Sequence, residues 1–235
     1  MLAIIFANGQ LNIPKTFNFL ETLKRADLLI AANGGSHSFL DLGIRPHFVI
    51  GDLDSLSKED LALLEGEGMK ILRYPKRKDY TDLELALQFA LDQGAQEVQI
   101  LGALGNRWDH TIANFLLPAI ISPATTELEN KLIDNTVVKK SKLPRISFVD
   151  GDQQIFFMQG EDQLEILGQP GDTVSLVPLT ERVFGVSTTS LEYPLSGEDL
   201  LIGRTLTISN VLLNQSGWVS IKDGRMLCVV IHASV

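Results

Sequence analysis

The feature that most constrains this chain is an alternation: up to about residue 121, short apolar runs take turns with helically spaced segments, and each run ends in an unusual loop. Leu2–Ala7 reads as a strand closing at Asn8-Gly9, and Thr16–Arg25 has helical spacing. Leu28–Ala32 ends at Asn33-Gly34-Gly35, a short helix follows around Ser38–Leu42, and Gly43 supplies its C-cap. Phe48–Ile50 runs into Gly51-Asp52-Leu53-Asp54-Ser55, and Glu59–Leu64 is helical. Lys70–Arg73, the helix Thr81–Leu91, Val98–Leu101 and the helix Asp109–Leu117 complete the series, with Thr81 and Glu84 forming a capping box.

Strand–helix–strand at this spacing predicts a Rossmann-like parallel sheet with helices on both faces, over residues 1–144. Ligands of such sheets bind outside the carboxyl ends of the strands. The loops Asn8-Gly9, Asn33–Gly35, Gly51–Ser55, Pro75–Asp82 and Gly102–His110 all follow strands and are expected on that one edge. Residues 122–144 read as a connector, with Lys139-Lys140-Ser141-Lys142 as a solvated turn. The texture then changes. Arg145–Val149 and Gln154–Met158 around Asp150-Gly151-Asp152 form a hairpin pattern. Gln163–Ile166, Thr173–Pro178, Val183–Ser187, Thr205–Ser209, Gly217–Ile221 and Met226–Ile231 follow, so residues 145–235 are expected to be an all-β module, sandwich-like or barrel-like.

Composition removes several classes of function. The 235 residues are 45% hydrophobic and 21% charged, as in globular domains. A formal charge of −9 disfavours nucleic-acid and anionic-membrane binding. The single cysteine, Cys228, sits in an apolar run and reads as a buried thiol, which fits a reducing cytoplasm. Leu2–Ala7 is too short for a signal segment, and the chain has no uncharged run of membrane-spanning length. His37, His47 and His232 share no metal-ligand spacing and are expected to be structural; Trp108 and Trp218 are expected to pack.

The chemistry gathers on the predicted edge. Asp52 and Asp54 are two apart, so in extended chain both point to one face, where they require a proton or a cation. Mg²⁺ suits such oxygen ligands and brings substrate phosphates with it. The plainer alternative is a turn whose Ser55 or Ser57 caps the next helix. Lys76-Arg77-Lys78-Asp79-Tyr80-Thr81-Asp82 adds Asp79 and Asp82, with cations for phosphates; acids at a helix start are also favoured by its dipole. Gly102 and Gly105 permit close backbone approach to a phosphate, and Arg107, Asp109, His110 and Asn114 cluster behind them. Neither a P-loop nor a dinucleotide glycine fingerprint is present.

These three stretches together resemble the thiamine pyrophosphokinase family, whose pattern is G-D-x-D-S, then K-D-x-T-D-x-E-x-A, then G-x-x-G-x-R-x-D-H-x-x-x-N. Gly51–Ser55, Lys78–Ala86 and Gly102–Asn114 match in order and separation. Val174–Leu179, Leu191–Leu195 and Ser209-Asn210 resemble the family's β-rich thiamine-binding module. The resemblance implies transfer of pyrophosphate from ATP to thiamine, with Asp52, Asp54, Asp79 and Asp82 holding Mg²⁺ and Asp109 close by. It implies Asn33, Gly34, Gly35, Lys78, Gly102, Gly105, Arg107, His110 and Asn114 on the nucleotide, and Tyr193, Ser209 and Asn210 on thiamine. It also implies a homodimer with thiamine held across the subunit interface. Two departures stand out. Where the family reads A-D-G-G-A-N-R, this chain has Ala32-Asn33-Gly34-Gly35-Ser36-His37-Ser38, and its T-G-L-K is Thr189-Ser190-Leu191-Glu192. Other readings are a pyrophosphokinase for a different hydroxymethyl heterocycle, such as a pterin, or a non-catalytic thiamine-binding protein.

Overall fold

The computed structural model describes residues 1–15, 19–66, 68–121 and 143–233, so the expected connector turn at Lys139–Lys142 lies outside the described residues. The chain divides into two compact units: Met1–Leu11 with Leu20–Ile146, and Asn12–Phe19 with Ser147–Val235.

In the first unit, strands β1 (Leu2–Phe6), β2 (Leu28–Ala32), β3 (Phe48–Gly51), β4 (Lys70–Arg73) and β5 (Glu97–Leu101) lie in the order β5-β1-β2-β3-β4. Every pairing among them is parallel. Helices α1 (Phe19–Arg25), α2 (Gly35–Leu42), α3 (Lys58–Gly66), α4 (Asp82–Asp92) and α5 (Trp108–Leu116) alternate with the strands. Successive strand residues point to opposite faces, and all five residues of β2 are buried, so both its faces are covered. Ala3, Ile4 and Ile5 of β1 are likewise fully buried. Helix α4 packs its Leu83, Ala86, Leu87 and Ala90 stripe inward, and the Thr81 hydroxyl accepts the Glu84 N–H at 3.1 Å, which caps its start.

Helix α2 starts at Gly35, three residues before the expected Ser38, because the chain turns directly out of β2. A Cβ on Gly35 would stand 2.0 Å from the Phe6 carbonyl oxygen, so only glycine lets this helix start against the end of β1.

The second unit is antiparallel. One sheet runs β12 (Asn210–Val211), β9 (Thr173–Pro178), β14 (Arg225–Ile231), β7 (Gln153–Gln159), β6 (Arg145–Asp150). The other runs β11 (Ser196–Leu201), β10 (Arg182–Thr189), β13 (Ser216–Ile221), β8 (Asp162–Leu167). Both sheets feed one core, including Met158, Ile166, Leu176, Val186, Val219 and Cys228. Cys228 is fully buried there, as its apolar surroundings in sequence implied. The Asp150–Asp152 hairpin also forms as expected, with Asn12 and Lys15 tied to it through the Asp150 and Asp152 carboxylates at 2.7 Å each.

Two strands differ from expectation. Thr205–Ser209 alternates like a strand but makes no ladder: Thr207 turns inward and exchanges hydrogen bonds with Leu176, and Ser209 at φ 60° breaks the extension before β12 begins. Conversely Ser196–Leu201, almost wholly exposed and poor in strand formers, is recruited by its pairing with β10.

Candidate active site

Because β1 to β5 are parallel, the loops after their carboxyl ends meet on one edge of the first unit, and a cavity of about 540 Å³ opens there. It is lined by Asn8–Gln10 after β1, Asn33 after β2, Asp82 at the start of α4, and the Gly102–Arg107 loop with His110, Thr111 and Asn114.

Three of the expected carboxylates come together here, around one amide. Asn33 Nδ2 lies 3.0 Å from Asp52 Oδ1, 3.0 Å from Asp82 Oδ2 and 3.4 Å from Asp54 Oδ1. Gly51, at φ 152°, makes room for this amide, since a Cβ there would sit 2.9 Å from Asn33 Cβ. Lysines take the other side of each acid. Lys78 Nζ is 2.7 Å from Asp82 Oδ1 and 3.8 Å from Asp52 Oδ2, and Lys76 Nζ is 2.6 Å from Asp54 Oδ2. The Lys76 ammonium, helped by hydrogen bonds with Asp52 and Asn33, holds the Asp54 carboxyl below the usual range, and the Lys76 amine is raised in return.

The expected fourth ligand, Asp79, does not join them. It is exposed in the bent loop before α4, and no hydrogen bond or ion pair ties it to the other three. Asp82 reaches the group because it opens the helix. Among the described residues, no three acidic, histidine or cysteine side chains are arranged closely enough to hold a metal by themselves. Asp109 is paired instead with Arg107, at 2.6 Å and 3.3 Å, and the guanidinium keeps its carboxyl below the usual range. His110 is exposed on the cavity lining, and Asn114 Nδ2 anchors the loop by donating to the Ala103 carbonyl at 2.7 Å. Gly34 and Gly35 are buried at the start of α2.

Gln10, Asn106 and Thr111 also line the cavity without having been singled out. Thr111 carries a signal visible only in three dimensions: its hydroxyl is buried without a hydrogen-bond partner among the described residues. In the second unit, Tyr193 and Asn210 exchange two bonds, Tyr193 N–H to Asn210 Oδ1 at 3.1 Å and Asn210 Nδ2 to the Tyr193 carbonyl at 2.8 Å. Next to them the Ser209 N–H donates to Ser175 Oγ at 2.9 Å, so the three expected thiamine residues do cluster.

Two of the remaining histidines are held within the fold: His47 Nδ1 accepts the Leu29 N–H at 2.8 Å, and His232 pairs with the buried Asp172. His37 lies 3.8 Å from Asp60. Trp108 departs from its expected packing role. It is 75% exposed, on the same face of α5 as exposed Ile112 and Leu116, because the four-residue spacing turns all three outward.

Comparison with known proteins agrees with this arrangement. Residues 19–127 match the family described as thiamin pyrophosphokinase, catalytic domain, and residues 161–226 match thiamin pyrophosphokinase, vitamin B1 binding domain. The thiamine pyrophosphokinase of Bacillus subtilis is 29% identical over 202 residues, covering 86% of each chain. A rice relative, thiamine pyrophosphokinase 1, is 24% identical over 80% of this chain and 73% of its own. The crystal structure of thiamine pyrophosphokinase from Bacillus subtilis superposes with a TM-score of 0.77 at 25% identity over the whole of both chains. Two matched domains in the family's order, and a shared fold along the full length, place the chain in the thiamine pyrophosphokinase family.

Proposed function

We propose that this protein transfers a pyrophosphoryl group from ATP to the hydroxyethyl group of thiamine, giving thiamine diphosphate and AMP, in the cytoplasm and as a homodimer. The observation that carries the reading is the convergence of Asp52, Asp54 and Asp82 on one point at the mouth of a glycine-lined cavity. The donor chemistry fits Mg²⁺, which is satisfied by a few carboxylate oxygens and completes its shell with phosphates and water. When bound, the ion would neutralise the phosphate oxygens and the charge that develops on them.

The chain's own residues do the rest. Asp52, Asp54 and Asp82 orient the metal–triphosphate, and the Gly102–Gly105 loop offers backbone close to the phosphates. Lys78, Lys76 and Arg107 offset negative charge as the thiamine hydroxyl oxygen attacks the β-phosphorus and AMP departs. Asp109, held by Arg107, keeps that guanidinium in place. His110 and Asn114 flank the nucleotide, Asn114 through the loop it anchors. Tyr193, Ser209 and Asn210 form the thiamine contact, inside the segment that matches the vitamin B1 binding domain.

The test is an assay for AMP with ATP, Mg²⁺ and thiamine, run beside a panel of other hydroxymethyl heterocycles. AMP formed with thiamine supports the reading. AMP formed only with a pterin alcohol transfers the activity to another acceptor, and no AMP with any alcohol leaves a binding protein. Sedimentation at micromolar concentration reads the dimer directly.

A further inference from the structure

Asn33 is held in a demanding position. Its backbone sits at φ 46°, its N–H donates to the Ile50 carbonyl at 2.8 Å, and its carbonyl accepts the Ser36 hydroxyl at 2.7 Å. With the main chain pinned, only the side-chain torsions are free. The residue is 6% exposed and lines the cavity.

The two ends of its carboxamide are treated unequally. Nδ2 faces oxygens of Asp52, Asp54 and Asp82, and these ionised groups only accept, so the nitrogen must be the atom that meets them. Oδ1 is left buried with no hydrogen-bond partner among the described residues. A buried acceptor without a donor carries its full desolvation cost, so this orientation persists only because the acids demand it. The lysines complete the pattern. Each carboxylate presents one oxygen to a lysine, at 3.8 Å for Asp52, and the other to Asn33; Asp52 Oδ1 also accepts the Asp54 N–H at 3.2 Å, so the three oxygens turned away from the lysines surround the amide nitrogen.

A divalent cation reaching those three oxygens would meet an N–H₂ group, which repels it. A half turn about the Cβ–Cγ bond exchanges the amide atoms and gives the cation an oxygen ligand instead. We propose that Asn33 is a two-position amide: Nδ2 stands in for the cation in the nucleotide-free protein, and Oδ1 turns onto the cation when it arrives with the triphosphate. This rests on the reading that the site takes a metal–nucleotide complex. Its consequence is an order of binding. The ion is carried in by the nucleotide, whose phosphates supply the ligands that outweigh the amide's bonds to the acids, and it does not reside in the empty site.

The test uses the intact protein and Mn²⁺ as a paramagnetic probe. Mn²⁺ alone should bind weakly, and a non-hydrolysable ATP analogue should tighten it by at least about tenfold. Asn33→Asp, which replaces the amide by a carboxylate, should bind Mn²⁺ without nucleotide at least about tenfold more tightly than the parent protein. In ¹⁵N spectra of the unsubstituted protein, the Asn33 side-chain NH₂ signal should move when the analogue is added with Mg²⁺ and stay in place with the analogue alone. An NH₂ signal unmoved by a bound Mg²⁺–analogue complex overturns the switch and leaves the functional reading standing, as does an unchanged Mn²⁺ affinity in Asn33→Asp. Failure of the analogue to bind at all, by calorimetry, overturns the nucleotide reading and the switch with it.

Discussion

Lys78 Nζ lies 2.7 Å from Asp82 Oδ1, and the two side chains, four residues apart, are only 12% and 22% exposed. This ion pair joins the loop after β4 to the first residue of α4, and Lys78 also reaches toward Asp52 after β3. It is therefore structural and electrostatic together. Lys78→Met removes the cation and leaves carboxylates facing one another with less compensation. The expected loss is about 2 kcal/mol in folding stability, below the range for fully buried pairs because water reaches part of this one. Urea denaturation of the parent and variant measures it.

Asp52 makes the more direct claim on function. Asp52→Asn keeps the shape of the side chain but removes a charge from the group around Asn33. AMP formation should fall by about a thousandfold, as when one preorganised electrostatic group is removed. Thiamine affinity, measured by calorimetry, should fall only modestly, and stability should not fall, because carboxylate repulsion is relieved. Retained turnover would sink the assignment of Asp52 to the metal–triphosphate.

Asp172 sets a pH dependence in the second unit. Burial pushes its carboxyl up, but N–H groups of Ala233 and Gln169 at 2.9 Å and 3.0 Å, with His232 at 2.8 Å, outweigh burial and hold it below the ordinary value. A carboxylate lowered on folding adds stability that is present above its unfolded value, about 3.9, and is lost as pH falls through the lower folded value. Denaturation series of the parent should therefore show stability declining below about pH 4, and Asp172→Asn should show a flatter acid limb from a lower plateau.

Thr111 separates the free protein from the loaded one. Its buried hydroxyl has no partner in the described structure, so Thr111→Val should leave the free protein as stable or up to about 1 kcal/mol more stable. Stabilisation by a non-hydrolysable ATP analogue, read as a shift in Tm, should shrink in the same variant, because Thr111 lines the cavity.

Much of the first unit was legible because its signals are local and mutually consistent. Apolar runs five residues long, caps such as Thr81, and glycine-bearing loops after strands each depend on near neighbours, and parallel topology then carried Asp52 and Asp82 to one edge. Asn33 as the centre of the acids was not legible. That role needs its positive φ, the absence of a Cβ on Gly51 and the rotation of α4, none of which is written in a nearby pattern. Asp79 is the reverse case: the resemblance implies a ligand, and here a bent loop leaves it exposed while the helix start turns Asp82 inward. In the second unit, β11 was missed because its strand character comes from β10 and not from its own residues.

The short passage Asn12–Phe19 has a further consequence. It precedes the rest of the unit it belongs with, where the Asn12 side chain donates to Asp150, 138 positions further along the chain. That bond must wait on the ribosome until the hairpin around Gly151 emerges, and its closure spends the entropy of a very long loop. Severing the chain at 144 would thus strand a piece of the β-rich unit on the wrong fragment. The order of the chain and the membership of the units are therefore not the same order.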